Sequence, residues 1–246
     1  MKKCLYLIIG SLALLSSCGK SDASGADRSS GPGKGGSLAR FAIVGDHLYS
    51  VNEQELKVFD ISTRANPIHL SNHQLNVDVE TIFPRDSATI FIGTTQGMFI
   101  YDVSNAPDIR LISRYDHIVS CDPVVANQNY AYVTLHSDAN TNRCFRGVNR
   151  LDIVDISDIE KPFAVNSFPM IKPLGLGLYG DTLLVCDEGV KVLDVSNPGQ
   201  IKLLNAIEGI SAQDIIPNGN IMIIATKTGL EQYRYQNKQL SFLSKL

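Results

Sequence analysis

The chain has no tryptophan among its 246 residues. That disfavours a dedicated sugar-stacking site, where a large flat ring is wanted. It has no basic run either: Lys and Arg number 22 against 25 Asp and Glu, for a formal charge of −3. Nucleic acid is therefore not an expected partner, because phosphate contacts require clustered cations. No stretch after Cys18 repeats its apolar residues with a 3.6-residue period, which argues against amphipathic helices. No apolar run is long enough to cross a bilayer comfortably; the longest, Leu5 to Leu15, is about ten residues. Cysteine is scarce, five in all. With Cys4 and Cys18 in the leader region, Cys121, Cys144 and Cys186 are left, an odd number.

What is present begins at the N-terminus, "MKKCLYLIIGSLALLSSCGK". Lys2 and Lys3, a short apolar stretch and a small-residue site form the layout of a secretory signal peptide over residues 1–17. "LLSSC" resembles a bacterial lipobox, in which the Cys receives lipid and becomes the mature N-terminus. The resemblance implies several acyl chains on Cys18, palmitate among them, and so a stable membrane anchor. Residues 19–37 are nearly all Gly, Ser, Ala, Lys and Asp. Such a stretch cannot bury a core, so residues 18–37 are expected to be a lipidated Cys and a flexible tether. Residue 19 is Gly rather than the Asp of a known inner-membrane retention signal. The expected address is the bacterial cell envelope, at the outer membrane, with either the periplasmic or the surface side open.

Residues 38–246 carry an internal repeat. "KVFDIS", "FIYDVS", "LDIVDIS" and "KVLDVS" place an Asp at 60, 102, 155 and 194, each followed two residues later by Ser. A degenerate fifth copy aligns Arg234 with the Asp. A period near forty residues suits four short strands, the blade of a propeller. In the second unit "VETIF", "TIFIG", "GMFIYDV" and "IRLISR" are β-branched or aromatic and divided by turn residues. Five units predict an all-β chain, a β-propeller of five four-stranded blades. Each unit holds its strands in order, so no blade is shared between the termini.

The units resemble the LVIVD repeat of bacterial exported and surface proteins. Leu151, Asp152, Ile153, Val154 and Asp155 carry the pattern, with Asp152 in place of Val. The stretches 56–60, 98–102 and 190–194 follow it more loosely. The resemblance implies a propeller-like fold and transfers no catalytic residue.

Repetition also decides how the Asp is read. Catalysis needs one carboxylate in one special place, not one per blade, so Asp60, Asp102, Asp155 and Asp194 are read as turn-tying groups. "GLGLYG", residues 175–180, fits a dinucleotide fingerprint by letter, but a strand follows it instead of a helix. Small residues there suit a crowded axis. No cofactor is expected. His69 and His73, and His136 with Asp138, lack metal-ligand spacing, so no metal is expected.

The one large irregularity is the insertion Asp138 to Asn149 in the third unit. Loops on a rigid frame carry function more often than the frame does. Its Arg143, Phe145 and Arg146, with Asp122 nearby, are the candidate binding residues. Cys121 and Cys144 lie on the same face and are a candidate disulfide, which suits an exported protein; Cys186 is then a buried free thiol. The resulting expectation is a lipid-anchored, non-enzymatic binding or scaffolding module for an envelope protein, peptide or glycan. The alternative is a glycoside hydrolase-like propeller using axial carboxylates from Asp78, Glu80, Asp122 and Asp214. A plugged axis favours the module; close acids around an open one favour the enzyme.

Overall fold

A computed structural model describes residues 35–117, 123–137 and 148–246. These form twenty strands in five four-stranded antiparallel sheets, each in simple sequential order. Blade 1 comprises β1 (Phe41–Val44), β2 (His47–Asn52), β3 (Glu55–Asp60) and β4 (Ile68–Gln74). Blade 2 is β5 (Val79–Pro84), β6 (Thr89–Thr94), β7 (Gly97–Asp102) and β8 (Arg110–Asp116). Blade 3 is β9 (Val124–Ala126), β10 (Tyr130–Leu135), β11 (Arg150–Asp155) and β12 (Phe163–Pro169). Blade 4 is β13 (Pro173–Tyr179), β14 (Thr182–Asp187), β15 (Val190–Asp194) and β16 (Lys202–Ile207). Blade 5 is β17 (Ala212–Asn218), β18 (Ile221–Thr226), β19 (Gly229–Gln236) and β20 (Gln239–Lys245). The fold is the expected β-propeller, with no strand exchanged between the termini.

The repeat is visible in the backbone. The residue at the Asp position pairs with the first residue of the second strand in every blade: Asp60 with His47, Asp102 with Thr89, Asp155 with Tyr130, Asp194 with Thr182, and Arg234 with Ile221. The outer pairing shifts register just before that position in all five blades, a bulge that bends the outer strand. The residue paired just before each shift is Ser71, Ser113, Asn166, Asn205 or Ser244. In the first three blades it donates a hydrogen bond to a turn carbonyl of the next: Ser71 Oγ to Pro107 O (3.2 Å), Ser113 Oγ to Ile159 O, and Asn166 Nδ2 to Pro198 O (3.1 Å). The tight β19–β20 turn, Asn237–Lys238, extends no such carbonyl. Blades 4 and 5 are tied instead by Thr182 Oγ1 with Tyr235 Oη at 2.9 Å and by Lys238 with Asp194 at 3.7 Å.

Apolar clusters fill the joints between blades 1 and 2, 2 and 3, 3 and 4, and 4 and 5. Fully buried side chains here repeat by position: Leu56, Met98 and Leu151 on the third strands, Tyr49, Phe91, Tyr132 and Leu184 on the second. At the joint from blade 5 back to blade 1 the same positions are edited. Leu230 is 43 % exposed and Gln232 replaces Val58, Ile100, Ile153 and Val192. On the facing side Ser50 stands where blades 2, 4 and 5 have Ile92, Val185 and Ile224, and Phe41 is 60 % exposed. Among the described residues no buried apolar cluster spans this seam.

The folded part also starts earlier than composition suggests. Residues 18–37 read as tether, yet Ser37 is 1 % exposed. Its segment is ordered by hydrogen bonds to the blades rather than by apolar burial, which is why a composition free of large side chains gives no sign of it.

Candidate functional site

The inner strands β5, β9, β13 and β17 run past an axis occupied by residues 36–39. Ser37 Oγ donates to Asp214 Oδ1 (2.9 Å) and accepts from Leu176 N (2.7 Å). Leu38 N donates to Asp214 Oδ2 at 3.3 Å, and Ala39 O accepts from Ile82 N at 2.9 Å. The segment thus bridges blades 2, 4 and 5. A Cβ on Gly36 would meet Asp214 Oδ2 at 2.0 Å, so only glycine seats there.

Two cavities lie at opposite ends of this plug. One, of about 400 Å³, is walled mainly by apolar ends of inner strands, including Phe83, Val125, Leu178 and Ile216, with Gly35 at its lining. The other, of about 250 Å³, is lined by Leu38, Arg40, Glu80, Pro123, His136 and Leu174. It lies on the face of the inserted loop, because Pro123 and His136 flank that loop's base and the entry to β9.

Among the described residues the candidate axial carboxylates Asp78, Glu80 and Asp214 are not assembled at one cavity. Asp214 is bonded beneath residues 37–38 and lines neither cavity. Desolvation raises its pKa, opposed by hydrogen bonds from Ser37, Leu38 and Ile215. Glu80 faces Arg40 at 3.8 Å in the smaller cavity. Asp78 accepts from Gln54 Nε2 at 2.9 Å. Asp122 lies outside the described residues, as do Cys18, Cys121, Cys144, Arg143, Phe145 and Arg146.

The base of the insertion is described. Asn149 Oδ1 accepts from Ser137 N at 2.8 Å, closing the neck, and its Nδ2 donates to Ile171 O at 2.6 Å. Asp187, which is buried, accepts from Ile171 N (3.1 Å) and Lys172 N (2.5 Å) and pairs with Lys191. The base of the insertion is therefore clamped from both blades 3 and 4.

The repeated Asp residues sit on the opposite face. Asp60, Asp102, Asp155 and Asp194 each accept from the backbone N–H of the Ser two residues on, at 2.7, 2.9, 2.8 and 3.0 Å. Ser104 Oγ and Ser196 Oγ add second bonds at 2.6 Å. Those hydrogen bonds hold the carboxyls of Asp60, Asp102 and Asp194 below the usual range. Asp152, the residue replacing Val in "LDIVD", is fully buried. It pairs with Arg150 Nε at 2.7 Å and accepts from Ser167 Oγ (2.7 Å) and Tyr115 Oη (3.3 Å), so it ties blade 3 to blade 2. Cys186 is a buried free thiol, pushed up by desolvation and then by Asp214. His69 and His73 engage Asn72 and Pro107 on an outer strand. Among the described residues no cluster of three metal-ligating side chains occurs.

Solved structures share the fold. A protein from Lactobacillus plantarum matches with a TM-score of 0.66 and 12 % identity over 81 % of this chain and 67 % of that one. BamB from Moraxella catarrhalis gives 0.57 and 13 % over 87 % and 66 %. A protein assigned provisionally as a gluconolactonase gives 0.58 and 9 % over 89 % and 79 %. These identities establish the architecture alone. No curated protein sequence matches the chain. The LVIVD repeat profile matches residues 35–74, which span the axial segment and blade 1, and residues 146–168 in blade 3, and so supports the LVIVD repeat family for those segments.

Proposed function

We propose that this protein is a lipid-anchored cell-envelope propeller that binds or scaffolds a partner through the face bearing the inserted loop, without chemistry of its own. The observation that carries the reading is the filled axis. A hydrolase of the kind considered above needs two carboxyl groups facing one substrate. Here Asp214 is covered by residues 37–38, and Glu80 sits in a separate cavity beside Arg40.

The path of the N-terminal segment supports the choice of face. Gly35 lines the cavity at the Asp-turn end, whereas Leu38 and Arg40 line the one at the loop end. The chain enters the axis from the Asp-turn face and emerges on the loop face. Residue 35, from which the chain leads back toward Cys18, therefore sits at the face opposite the base of the insertion, which suits a partner site on the insertion's face in a molecule anchored through Cys18. A propeller frame carrying one long insertion on a clamped base suits a protein, peptide or glycan partner.

The test is a pull-down from crosslinked envelope with wild-type protein and a deletion of residues 138–149. The wild type recovers partners that the deletion loses; identical recovery overturns the surface assignment. A Cys18→Ala variant that stays membrane-bound overturns the anchor.

A further inference from the structure

Residues 36–39 are held as a bound peptide is held. They contribute no strand, and they touch inner strands of three blades, with Gly36 and Ser37 buried and the Leu38 side chain exposed. Each polar group in contact has a complement: the Ser37 hydroxyl between Asp214 and Leu176 N, the Leu38 N–H on Asp214, and the Ala39 carbonyl on Ile82 N. The subsite at residue 36 leaves no room for a side chain, since a Cβ there would meet the Asp214 carboxylate at 2.0 Å and the Ile216 side chain at 3.3 Å. The neighbouring wall is made to measure in the same way. A Cβ on Gly175 would lie 2.3 Å from Asp214 Oδ1 and 2.7 Å from its Cα, which lets β13 and β17 approach and close the floor.

We propose that the axis is a peptide-binding site occupied in cis by the chain's own Gly36–Ala39, closed as a turn by Ala39 N donating to Gly36 O at 3.1 Å, and that in trans it takes a Gly-Ser-Leu-Ala-type segment folded into the same turn. The site selects glycine by sterics, serine by a hydroxyl that must both donate and accept, and the next two residues by their backbones. Exchange needs no rupture of a blade. Val51 N donates to Arg40 O at 2.9 Å, so β1 keeps its first tie when the segment before it leaves. The exit also adjoins the polar seam between blades 5 and 1, where Gln232 and Ser50 replace apolar residues. A cis segment competes at the millimolar effective concentration typical of a short linkage. The wild-type axis is therefore closed to free peptide at ordinary concentrations, and a partner must draw out the segment or present a better one.

The experiment is fluorescence anisotropy with a labelled peptide of sequence GGSLAR, residues 35–40, added to full-length wild type and to Gly36→Val. The substitution evicts the cis segment while leaving the trans subsites intact. Binding at least tenfold tighter to Gly36→Val than to wild type is expected. The peptides GVSLAR and GGALAR should bind at least tenfold more weakly than GGSLAR. Equal or no binding to the two proteins, or indifference to either peptide change, overturns the proposal. Should Gly36→Val fail to give a native circular dichroism spectrum, Ser37→Ala serves in its place, with the same two outcomes.

Discussion

At the residue scale, two classes of carboxylate coexist and titrate with opposite consequences. Asp60, Asp102 and Asp194 are held below the ordinary value of 3.8 by Ser N–H and hydroxyl groups. Their stabilisation is complete above 3.8 and is lost as pH falls through their depressed values. Asp214 is raised by burial. Its contribution is present below 3.8 and is lost as pH rises through its elevated value. In melting temperature measured across the carboxylate range, Asp102→Asn should flatten the acid limb. Asp214→Asn should flatten the decline above it and keep an acceptor for Ser37. Asp152 tests a different point. Breaking a buried ion pair from one side leaves an unpaired charge, so Asp152→Ala should cost about 3 kcal/mol in denaturant unfolding. The double change Arg150→Met with Asp152→Val should recover most of it. The turn role of the repeated Asp was legible because four copies share one Asp-x-Ser spacing. The Asp152 network was not, because its partners Tyr115, Arg150 and Ser167 come from three strands and show no common spacing.

At the element scale, the strands are held by shape as much as by apolar area. Gly177 lies where a Cβ would meet Ile215 O and Pro217 Cδ at 2.7 Å. Gly177→Ala should therefore push β13 from β17 and cost about 1–3 kcal/mol, as overpacking does. The outer strands are tied through the residue at each bulge. Ser113→Ala and Asn166→Ala should each cost about 1 kcal/mol, and their effects should add, since they serve different joints. The strands themselves were readable from β-branched and aromatic runs between Asn, Pro, Gly and Asp turns. "GLGLYG" was readable as axial packing because a strand follows it. The bulges and the ties across blades were hidden, since a register shift of one residue leaves no mark in hydrophobic patterning.

At the scale of the whole molecule, the ring is uneven. Four joints are apolar, whereas the fifth pairs edited faces. Truncating Ile153 to Ala, in a filled joint, should cost about 2–5 kcal/mol. Ile223→Ala, on the half-buried seam, should cost clearly less, about 1 kcal/mol, because little packing is lost there. Blade number and order followed from the forty-residue period. The plugged axis did not, because a Gly-Ser segment reads as tether wherever polar bonds, rather than apolar side chains, do the holding. The proposed binding role rests on the filled axis, and amide hydrogen exchange of the full-length protein tests that axis most directly. Leu38 and Leu176, whose N–H groups are bonded to Asp214 and Ser37, should be strongly protected and exchange together. Exchange of both at unprotected rates, while the core amides of Ile92 and Val185 stay protected, would contradict the filled axis.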